Sequence, residues 1–377
     1  MSMNSFGNDL YTGRKSFDFI GKRKIWFSIA LAAVLLSCVL VFAKGLNLGI
    51  EFTGGSQFTI SNTQDTDQSA ASDIMRDALG DESARVTQVG DASIRVQTIA
   101  QDLTNTQTED IRNQLADAYG VPSSDVTSTY IGPSWGNDIL MKAIRGFIVF
   151  VLLVTVGLTL YFRSWRSAAG GIIALLHDLI VTVGVYCLFG FELTPSTVIG
   201  LLTILGYSLY DTIVVFDKIR ENNAKLLTQN SYTFAESTNL AVNQTLIRSI
   251  NTSVTSILPV ASILFIGVLL LGAGTLRDLA LVMFVGLLLS TISSIFIASP
   301  LAVQFAELNP EIKAHTEKVI ALREERAAAR EAKIAAGEDV SDLDDVDSAG
   351  PAHGIIRDAG HHQGASAQPR RKNRSKK

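Results

Sequence analysis

Six long apolar segments set the strongest limit on what this chain can fold into. The first occupies residues 25–43, and five more follow one another within residues 139–307. A helix that crosses a bilayer needs about 20 mostly apolar residues, and each segment is long enough. Charged residues make up 18% of the chain, whereas they make up about a quarter of a soluble globular protein. We therefore predict an α-helical polytopic membrane protein with six transmembrane helices.

Lys and Arg residues are unevenly distributed among the segments that flank these helices. They are concentrated in residues 1–24, in the loops after the second and the fourth apolar segment, and in residues 308–377. The loop between the third and fourth segments carries Glu192 as its charged residue, and the loop between the fifth and sixth carries Arg277 beside Asp278. Because basic flanking residues are retained in the cytoplasm, we predict that both termini are cytoplasmic.

Residues 44–138 form a polar insert between the first two apolar segments, long enough for a small domain. The predicted elements follow one another as strand 50–60, helix 69–79, strands 84–89 and 93–99 around a Gly-Asp turn, helix 108–119 and strand 126–131. This β-α-β-β-α-β order is that of the split ferredoxin-like motif. We therefore predict an extracytoplasmic ferredoxin-like domain between spans one and two. The insert contains neither His nor Cys, which favours a binding or mechanical role over catalysis.

Residues 308–377 differ in composition from the rest of the chain. Residues 313–336 are rich in Ala, Glu, Lys and Arg and predict an exposed helix, residues 339–347 are acidic, and residues 370–377 are strongly basic. We predict a cytoplasmic, largely disordered tail, because blocks of like charge are usually solvated. The alternative is that the basic end contacts anionic lipid or ribosomal RNA. The net charge of −4 gives no indication of a nucleic-acid partner.

Two carboxylates lie inside the apolar segments: Asp178 in the third and Asp211 in the fourth. An Asp at the centre of a membrane helix costs about 3 kcal/mol, which makes such residues candidates for function. Thr203 and Tyr207 precede Asp211 at steps of four residues, so the three share one face of a helix. They form a polar stripe that ends in a carboxylate.

Arg248 opens the fifth apolar segment at a depth similar to that of Asp211, and Asn251 and Thr252 follow it. We expect that Arg248 can pair with Asp211. Burial favours a protonated carboxyl group, whereas a nearby arginine favours the carboxylate. A movement of Arg248 relative to Asp211 would therefore change the proton affinity. The same pair could instead be a fixed link that holds the two helices together, and both interpretations stay open at this point.

Asp178 has His177 as its neighbour in sequence, but adjacent residues of a helix point in different directions. His177 is either a proton relay or a hydrogen-bonded packing residue. The isolated Cys38 and Cys187 indicate packing residues rather than a disulfide or a metal site. Ser290 and Ser293 lie on a face of small residues in the sixth segment, which helix packing explains. The sequence indicates no metal, no cofactor and no catalytic residue.

Three motifs occur along the chain in a characteristic order. They are GIEFTGG at residues 49–55, GYSLYDTIVVFD at residues 206–217 and NQTLIRSINTS at residues 243–253. Together with His177-Asp178 they resemble the motifs of the SecD/SecF family of protein-export membrane proteins. The likeness covers about residues 15–305 and leaves out the tail. Glu51 stands where related sequences often have Asp.

The resemblance implies a proton-driven, multi-pass protein of the bacterial cytoplasmic membrane, related to resistance-nodulation-division exporters. Such a protein is not an enzyme but uses the proton motive force to promote late steps of Sec-dependent protein translocation. The implied partners are SecD, the SecYEG channel, the SecA motor, translocating preproteins and membrane lipid. The resemblance also implies that Asp211, Arg248 and Asp178 take part in proton transport.

Three other functions are compatible with parts of this sequence. Tyr210-Asp211 is similar to half of an intramembrane aspartyl protease site, which requires two carboxylates. The partner motif is absent, because the glycine-rich residues 272–274 are followed by Thr275. A lipid or small-molecule exporter of this kind needs a pseudosymmetric pair of six-span halves. This chain has six apolar segments and so supplies only one such half. A purely structural subunit stays open, and substitution of Asp211 would distinguish it.

Overall fold

The computed structural model describes residues 3–80, 84–89, 92–99, 103–270 and 276–335. The helices and strands are, in chain order, α1 (Met3–Tyr11), α2 (Arg23–Lys44), α3 (Ile50–Thr53), β1 (Gly55–Ile60), α4 (Ser69–Leu79), β2 (Arg85–Gln88), β3 (Ile94–Thr98), α5 (Asn105–Tyr119), β4 (Val126–Ile131), α6 (Pro133–Phe162), α7 (Trp165–Phe189), α8 (Pro195–Asn222), α9 (Phe234–Ser262), α10 (Arg277–Ser293), α11 (Ser299–Ala306) and α12 (Pro310–Ala335). Two π-helical segments follow α9 and α10, at Ile263–Leu270 and Ser294–Ala298.

Six of the described helices are long and apolar enough to cross a bilayer, in agreement with the prediction. These segments are Arg23–Lys44, Pro133–Phe162, Trp165–Phe189, Pro195–Thr228, Phe234–Val268 and Arg277–Ala306. The second begins at Pro133, earlier than the predicted residue 139, because proline is well suited to the first turn of a helix. Pro259 lies inside α9, and the π-helical segment begins four residues after it.

The insert contains a four-stranded antiparallel sheet in the order β2-β3-β1-β4. Helices α4 and α5 pack on one face of it. The core of this part consists of fully buried or nearly buried side chains from both helices and from β1, β3 and β4, namely Phe58, Ile60, Ala71, Met75, Ile94, Val96, Ile111, Leu115, Ala116, Tyr119 and Val126. The predicted order of strands and helices is therefore present. The Gly-Asp turn at residues 90 and 91 lies outside the described residues.

Two element boundaries in the insert differ from the prediction for identifiable reasons. The strand expected over residues 50–60 begins at Gly55, because Ile50–Thr53 forms a helical turn. Gly54 then adopts a φ of 77°, which side chains other than glycine rarely allow. Helix α5 begins at Asn105, three residues before the predicted start at residue 108, because Thr104 and Gln107 form a capping box.

Residues Lys24–Ile213 and Arg248–Ala298 form one compact unit. Glycines allow close contact between its helices. A methyl group on Gly184 of α7 would collide with Ser37 of α2, and one on Gly200 of α8 would collide with Val282 of α10. Small residues are the usual device for such contacts between membrane helices.

The described residues of Met1–Arg23, Val214–Ile247 and Ser299–Lys377 form the other compact unit. Here the side chains of Asn239 and Asn243 bind the backbone of the N-terminal segment. Their Oδ1 atoms accept hydrogen bonds from the Phe19 and Phe17 backbone N–H groups at 2.9 and 2.8 Å. The segment that leads into α2 is thereby fixed against α9.

Helix α12 is docked in the same unit. Arg323 forms a two-pronged ion pair with Glu236, with N–O distances of 2.6 and 2.9 Å, and it also donates to the Ser231 carbonyl. His315 Nε2 lies 2.7 Å from the Gln229 carbonyl, and Val319 is fully buried. The helix predicted over residues 313–336 is thus present, although it is packed rather than wholly exposed. Within the tail of residues 308–377, for which we predict that most is disordered, Pro310–Ala335 is thus helical, and residues 336–377 lie outside the described residues.

Removal of the Arg323 side chain should loosen α12. The ion pair is partly exposed, with side-chain exposures of 40% and 37%, so we expect Arg323→Ala to cost no more than about 1 kcal/mol. This corresponds to about fivefold faster amide exchange over Pro310–Ala335 in a hydrogen–deuterium measurement. The matched control is Arg326→Ala, three residues along the same helix and exposed. Equal exchange in the two variants would contradict the docking role of Arg323.

Candidate functional site

Asp178 is completely buried in the middle of α7. Its Oδ2 atom accepts hydrogen bonds from Ser208 Oγ of α8 at 2.8 Å and from Ser293 Oγ of α10 at 2.6 Å. Its Oδ1 atom lies 3.3 Å from Nδ1 of His177. The carboxyl group of α7 is therefore bound by hydroxyls from two other helices.

Asp211 lies on α8 and is 8% exposed. Ser249 Oγ of α9 donates to its Oδ1 atom at 2.7 Å. Ser294 Oγ, in the π-helical segment that follows α10, donates to its Oδ2 atom. Like Asp178, Asp211 is held by serine hydroxyls that come from other parts of the helical bundle.

The two carboxylates are linked through consecutive residues. Ser293 binds Asp178 and Ser294 binds Asp211. Consecutive residues of a helix point about 100° apart, so one short stretch can reach helices on two sides. Ser208 adds a further connection because it binds Asp178 from α8, three residues before Asp211. Together with Ser249, which binds Asp211, these residues form what we call the aspartate–serine network. Its six members are Asp178, Asp211, Ser208, Ser249, Ser293 and Ser294.

The local backbone accounts for the unusual position of Ser294. The π-helical segment Ser294–Ala298 lies immediately before Ser299 and Pro300. Proline lacks the N–H group that a helix would use to bind the carbonyl four residues earlier. Such an interruption favours a π-helical turn, and π-helical turns are frequent at functional sites.

Hydroxyls supply a chemistry that differs from that of a cation. A serine hydroxyl can donate to a carboxylate, and after rotation it can accept from a protonated carboxyl group. Arginine and lysine only donate. In the described part of the chain, neither Asp178 nor Asp211 has a Lys or Arg within ion-pair distance. The network can therefore accommodate either protonation state of each carboxyl group.

The predicted contact between Arg248 and Asp211 is not formed. Arg248 is exposed, whereas the next residue, Ser249, is buried and binds Asp211. Only one of two adjacent residues can face α8, because they point about 100° apart. The hydroxyl of Ser249, and not the guanidinium group of Arg248, therefore donates a hydrogen bond to the buried carboxylate of Asp211.

The supporting polar residues also lie away from the two carboxylates. Thr203 is half-buried and donates to the Ile199 carbonyl of its own helix at 2.8 Å. Tyr207 is 43% exposed. Asn251 is exposed and Thr252 is half-buried. Among the described residues, none of the four binds Asp178 or Asp211.

Sequence reasoning missed the most important partners. Ser208 and Ser294 were not identified, and Ser293 was assigned to packing. A usable signal was present, because a serine in a membrane helix must find a hydrogen-bond partner. Ser293 and Ser294 are consecutive serines inside an apolar segment, with Pro300 further along the same segment, and they mark such a position.

His177 keeps its second nitrogen without a partner. Its Nε2 atom is buried and has no hydrogen-bond partner among the described residues. Its Nδ1 atom is the one that faces Asp178. The ring thus borders the aspartate–serine network on one side only.

Comparison with known proteins identifies the family. The family described as protein export membrane protein SecD/SecF, C-terminal, matches residues 111–308, and the SecD/SecF GG motif matches residues 39–61. The protein translocase subunit SecF of Streptomyces coelicolor is 42% identical over 351 residues, which cover 93% of each chain. The protein of the same name from Mycobacterium tuberculosis is 42% identical over 329 residues, covering 85% of this chain and 74% of the relative.

A solved structure agrees with these relatives. The crystal structure of SecDF from Thermus thermophilus, described as a translocon-associated membrane protein, matches with a TM-score of 0.68 and 32% sequence identity. The match covers 78% of this chain and 39% of that one. The chain therefore belongs to the SecD/SecF family of protein export membrane proteins, and the two relatives named above are SecF subunits of that family.

Proposed function

We propose that this chain is the SecF-type half of a SecD–SecF accessory complex, which uses the proton motive force to promote late steps of Sec-dependent protein translocation. The observation that carries the proposal is the aspartate–serine network. A chain of this family has a role in protein translocation, and the network supplies a means of coupling it to protons. We assign the complex to the bacterial cytoplasmic membrane.

Proton coupling follows from the way the two carboxyl groups are held. Gain of a proton at Asp211 requires the O–H group of either Ser249 or Ser294 to turn, whichever faces the protonated oxygen, because a carboxylate only accepts whereas a carboxyl group also donates. These hydroxyls belong to other helices, so the hydrogen bonds between helices change with protonation. Since Ser293 and Ser294 are adjacent, a shift at Asp211 is passed to the hydroxyl that binds Asp178. Protonation thereby alters how four helices are joined.

We assign a different role to Arg248. A charged side chain that faces lipid is costly, yet Arg248 is exposed on a helix that is long enough to span the membrane. Asn251, three residues later, is exposed as well, and so is Tyr207 of α8. We infer that these exposed polar side chains are covered by the SecD partner. SecYEG, SecA, translocating preproteins and membrane lipid remain the further partners that we propose.

We infer that the four-stranded part is a ferredoxin-like domain on the outer side of the membrane. Its strand order and its two helices on one face support this assignment. The outer location rests on the distribution of Lys and Arg. The same distribution supports residues 1–24 and 308–377 as cytoplasmic segments around the membrane-embedded residues 25–43 and 139–307. The outer domain then corresponds to residues 44–138.

Replacement of Asp211 should separate proton coupling from packing. We expect Asp211→Asn to export a secreted reporter as poorly as a strain that lacks the protein, with little further loss when an uncoupler is added. Asn keeps the shape of the side chain but cannot exchange a proton. The control is Asp138→Asn, an exposed carboxylate on α6. Export at the parental level, with protein amounts equal, would make Asp211 a structural residue.

The hydroxyl of Ser294 should be needed as well. Ser294→Ala removes a donor to a charged group, a contact worth roughly 1.5–3 kcal/mol, and we expect about tenfold lower proton-dependent export. Ser294→Thr keeps a hydroxyl and should restore most of the activity. Ser262→Ala, which removes an exposed hydroxyl bound to its own helix, should have no effect. Activity of Ser294→Ala equal to that of Ser262→Ala would exclude Ser294 from the coupling.

Arg248 should be required for assembly with the partner. If its surface faced lipid, Arg248→Leu would be neutral or stabilising. We expect the opposite result, a reduction of several-fold in the amount of SecD that copurifies with the chain. Lys318→Leu, at an exposed position of α12, which is not one of the six apolar helices, is the control. Undiminished copurification of Arg248→Leu would show that this surface does not contact SecD.

A further inference from the structure

The four-stranded sheet is joined to the loop between α7 and α8. Gln97 of β3 donates from Nε2 to Oε1 of Glu192 at 2.9 Å, and also to Oε1 of Gln57 on β1 at 3.2 Å. Leu48 and Leu193 form a short parallel bridge. This loop, residues 190–194, is thus bound to the sheet through the side chain of Glu192 and to the segment before α3 through the backbone.

The backbone bridge has two hydrogen bonds around Leu193. Its N–H group donates to the Asn47 carbonyl at 2.7 Å, and its carbonyl accepts from the Gly49 N–H group at 2.8 Å. Gly49 opens the glycine-rich motif that continues into α3 and β1. These two backbone hydrogen bonds therefore hold the start of the glycine-rich motif beside the loop.

Two carboxyl groups meet at this bridge. A methyl group on Gly49 would collide with Oε2 of Glu51 and would come within 3.0 Å of Oε1 of Glu192. Both groups therefore border the same small space. Oε2 of Glu51 is buried and has no hydrogen-bond partner among the described residues.

Burial raises the pKa of Glu192 above its ordinary value. The hydrogen bond from Gln97 opposes this rise in the pKa, the negative charges of Glu51 on α3 and Asp278 on α10 add to it, and the positive charge of Arg95 on β3 opposes it. Glu192 is therefore easier to protonate in the closed contact than an ordinary glutamate.

We propose that Glu192 and Glu51 form a proton-dependent clasp that fastens the four-stranded sheet to the loop between α7 and α8. With Glu192 protonated, the shared space holds a single negative charge at most. With both ionised, two like charges face each other beside Gly49, and the loop is pushed away from the sheet. The clasp rests on the proposed function in one respect, because it would lie on the side from which protons enter.

The direction of the pH dependence follows from the raised pKa. A carboxyl group that is easier to protonate in the closed contact stabilises that contact fully below its ordinary pKa. The stabilisation is lost as the pH rises through the raised value. Acidification of the exterior therefore favours the closed clasp, and a rise of the pH through the raised pKa favours the open one.

Hydrogen–deuterium exchange of the purified full chain in lipid nanodiscs tests the clasp. The amides to follow are those of Gly49 and Leu193, which form the backbone bridge. After correction for the intrinsic chemical rate, we expect their exchange to become about tenfold faster between about pH 5 and about pH 8. In Glu192→Gln, which imitates the protonated form, exchange should stay slow at every pH.

Two further variants make the result decisive. Glu51→Gln removes the other charge and should abolish most of the pH dependence, which also provides a test if Glu192→Gln does not fold. Asp117→Asn, at an exposed carboxylate of α5, should behave like the parent. The proposal is overturned if the parent shows no pH dependence, or if Glu192→Gln or Glu51→Gln retains it. This measurement needs no export machinery, so it can fail while the proposed role in translocation stands, and the reverse is equally possible.

Discussion

A buried carboxylate must have hydrogen-bond partners, because an unpaired charge in an apolar medium strongly lowers the free energy of unfolding. In this chain the partners of Asp178 and Asp211 are serine hydroxyls carried by neighbouring helices. The need to bring short side chains to two carboxyl groups fixes the spacing of the helices. A longer cationic partner would reach from further away but would hold each carboxylate in its charged form.

Close approach of the helices is the condition for such short contacts. Gly184, Gly200 and Gly286 each lie where a methyl group would meet a side chain of another helix. Gly286 of α10 faces Ile204 of α8 and lies about two helical turns before Ser293 and Ser294. The glycines thus allow the helices to approach closely, and this short distance lets the serine hydroxyls reach the two carboxyl groups.

The sequence predicted the elements better than the contacts between them. Six spans and the alternation of strands and helices followed from apolar length and periodicity, which depend on local composition. The two carboxylates followed from the cost of charge in a membrane. The choice between Arg248 and Ser249 could not be made, because it depends on the rotation of α9 about its axis. The start of β1 was misplaced because Gly54 and Gly55 interrupt a pattern that otherwise alternates.

Strand β4 passes into α6 almost without a linker, since Gly132 alone separates Ile131 from Pro133. The backbone of Phe52 and Gly54 also packs against Gly136 in the first turn of α6. A helix of 30 residues is about 45 Å long. The strand and the helix therefore behave as one rigid arm, whose far end moves by about 8 Å when the helix tilts by about 10°. A small tilt of α6 about its C-terminal end is in this way enlarged into a larger displacement of the sheet.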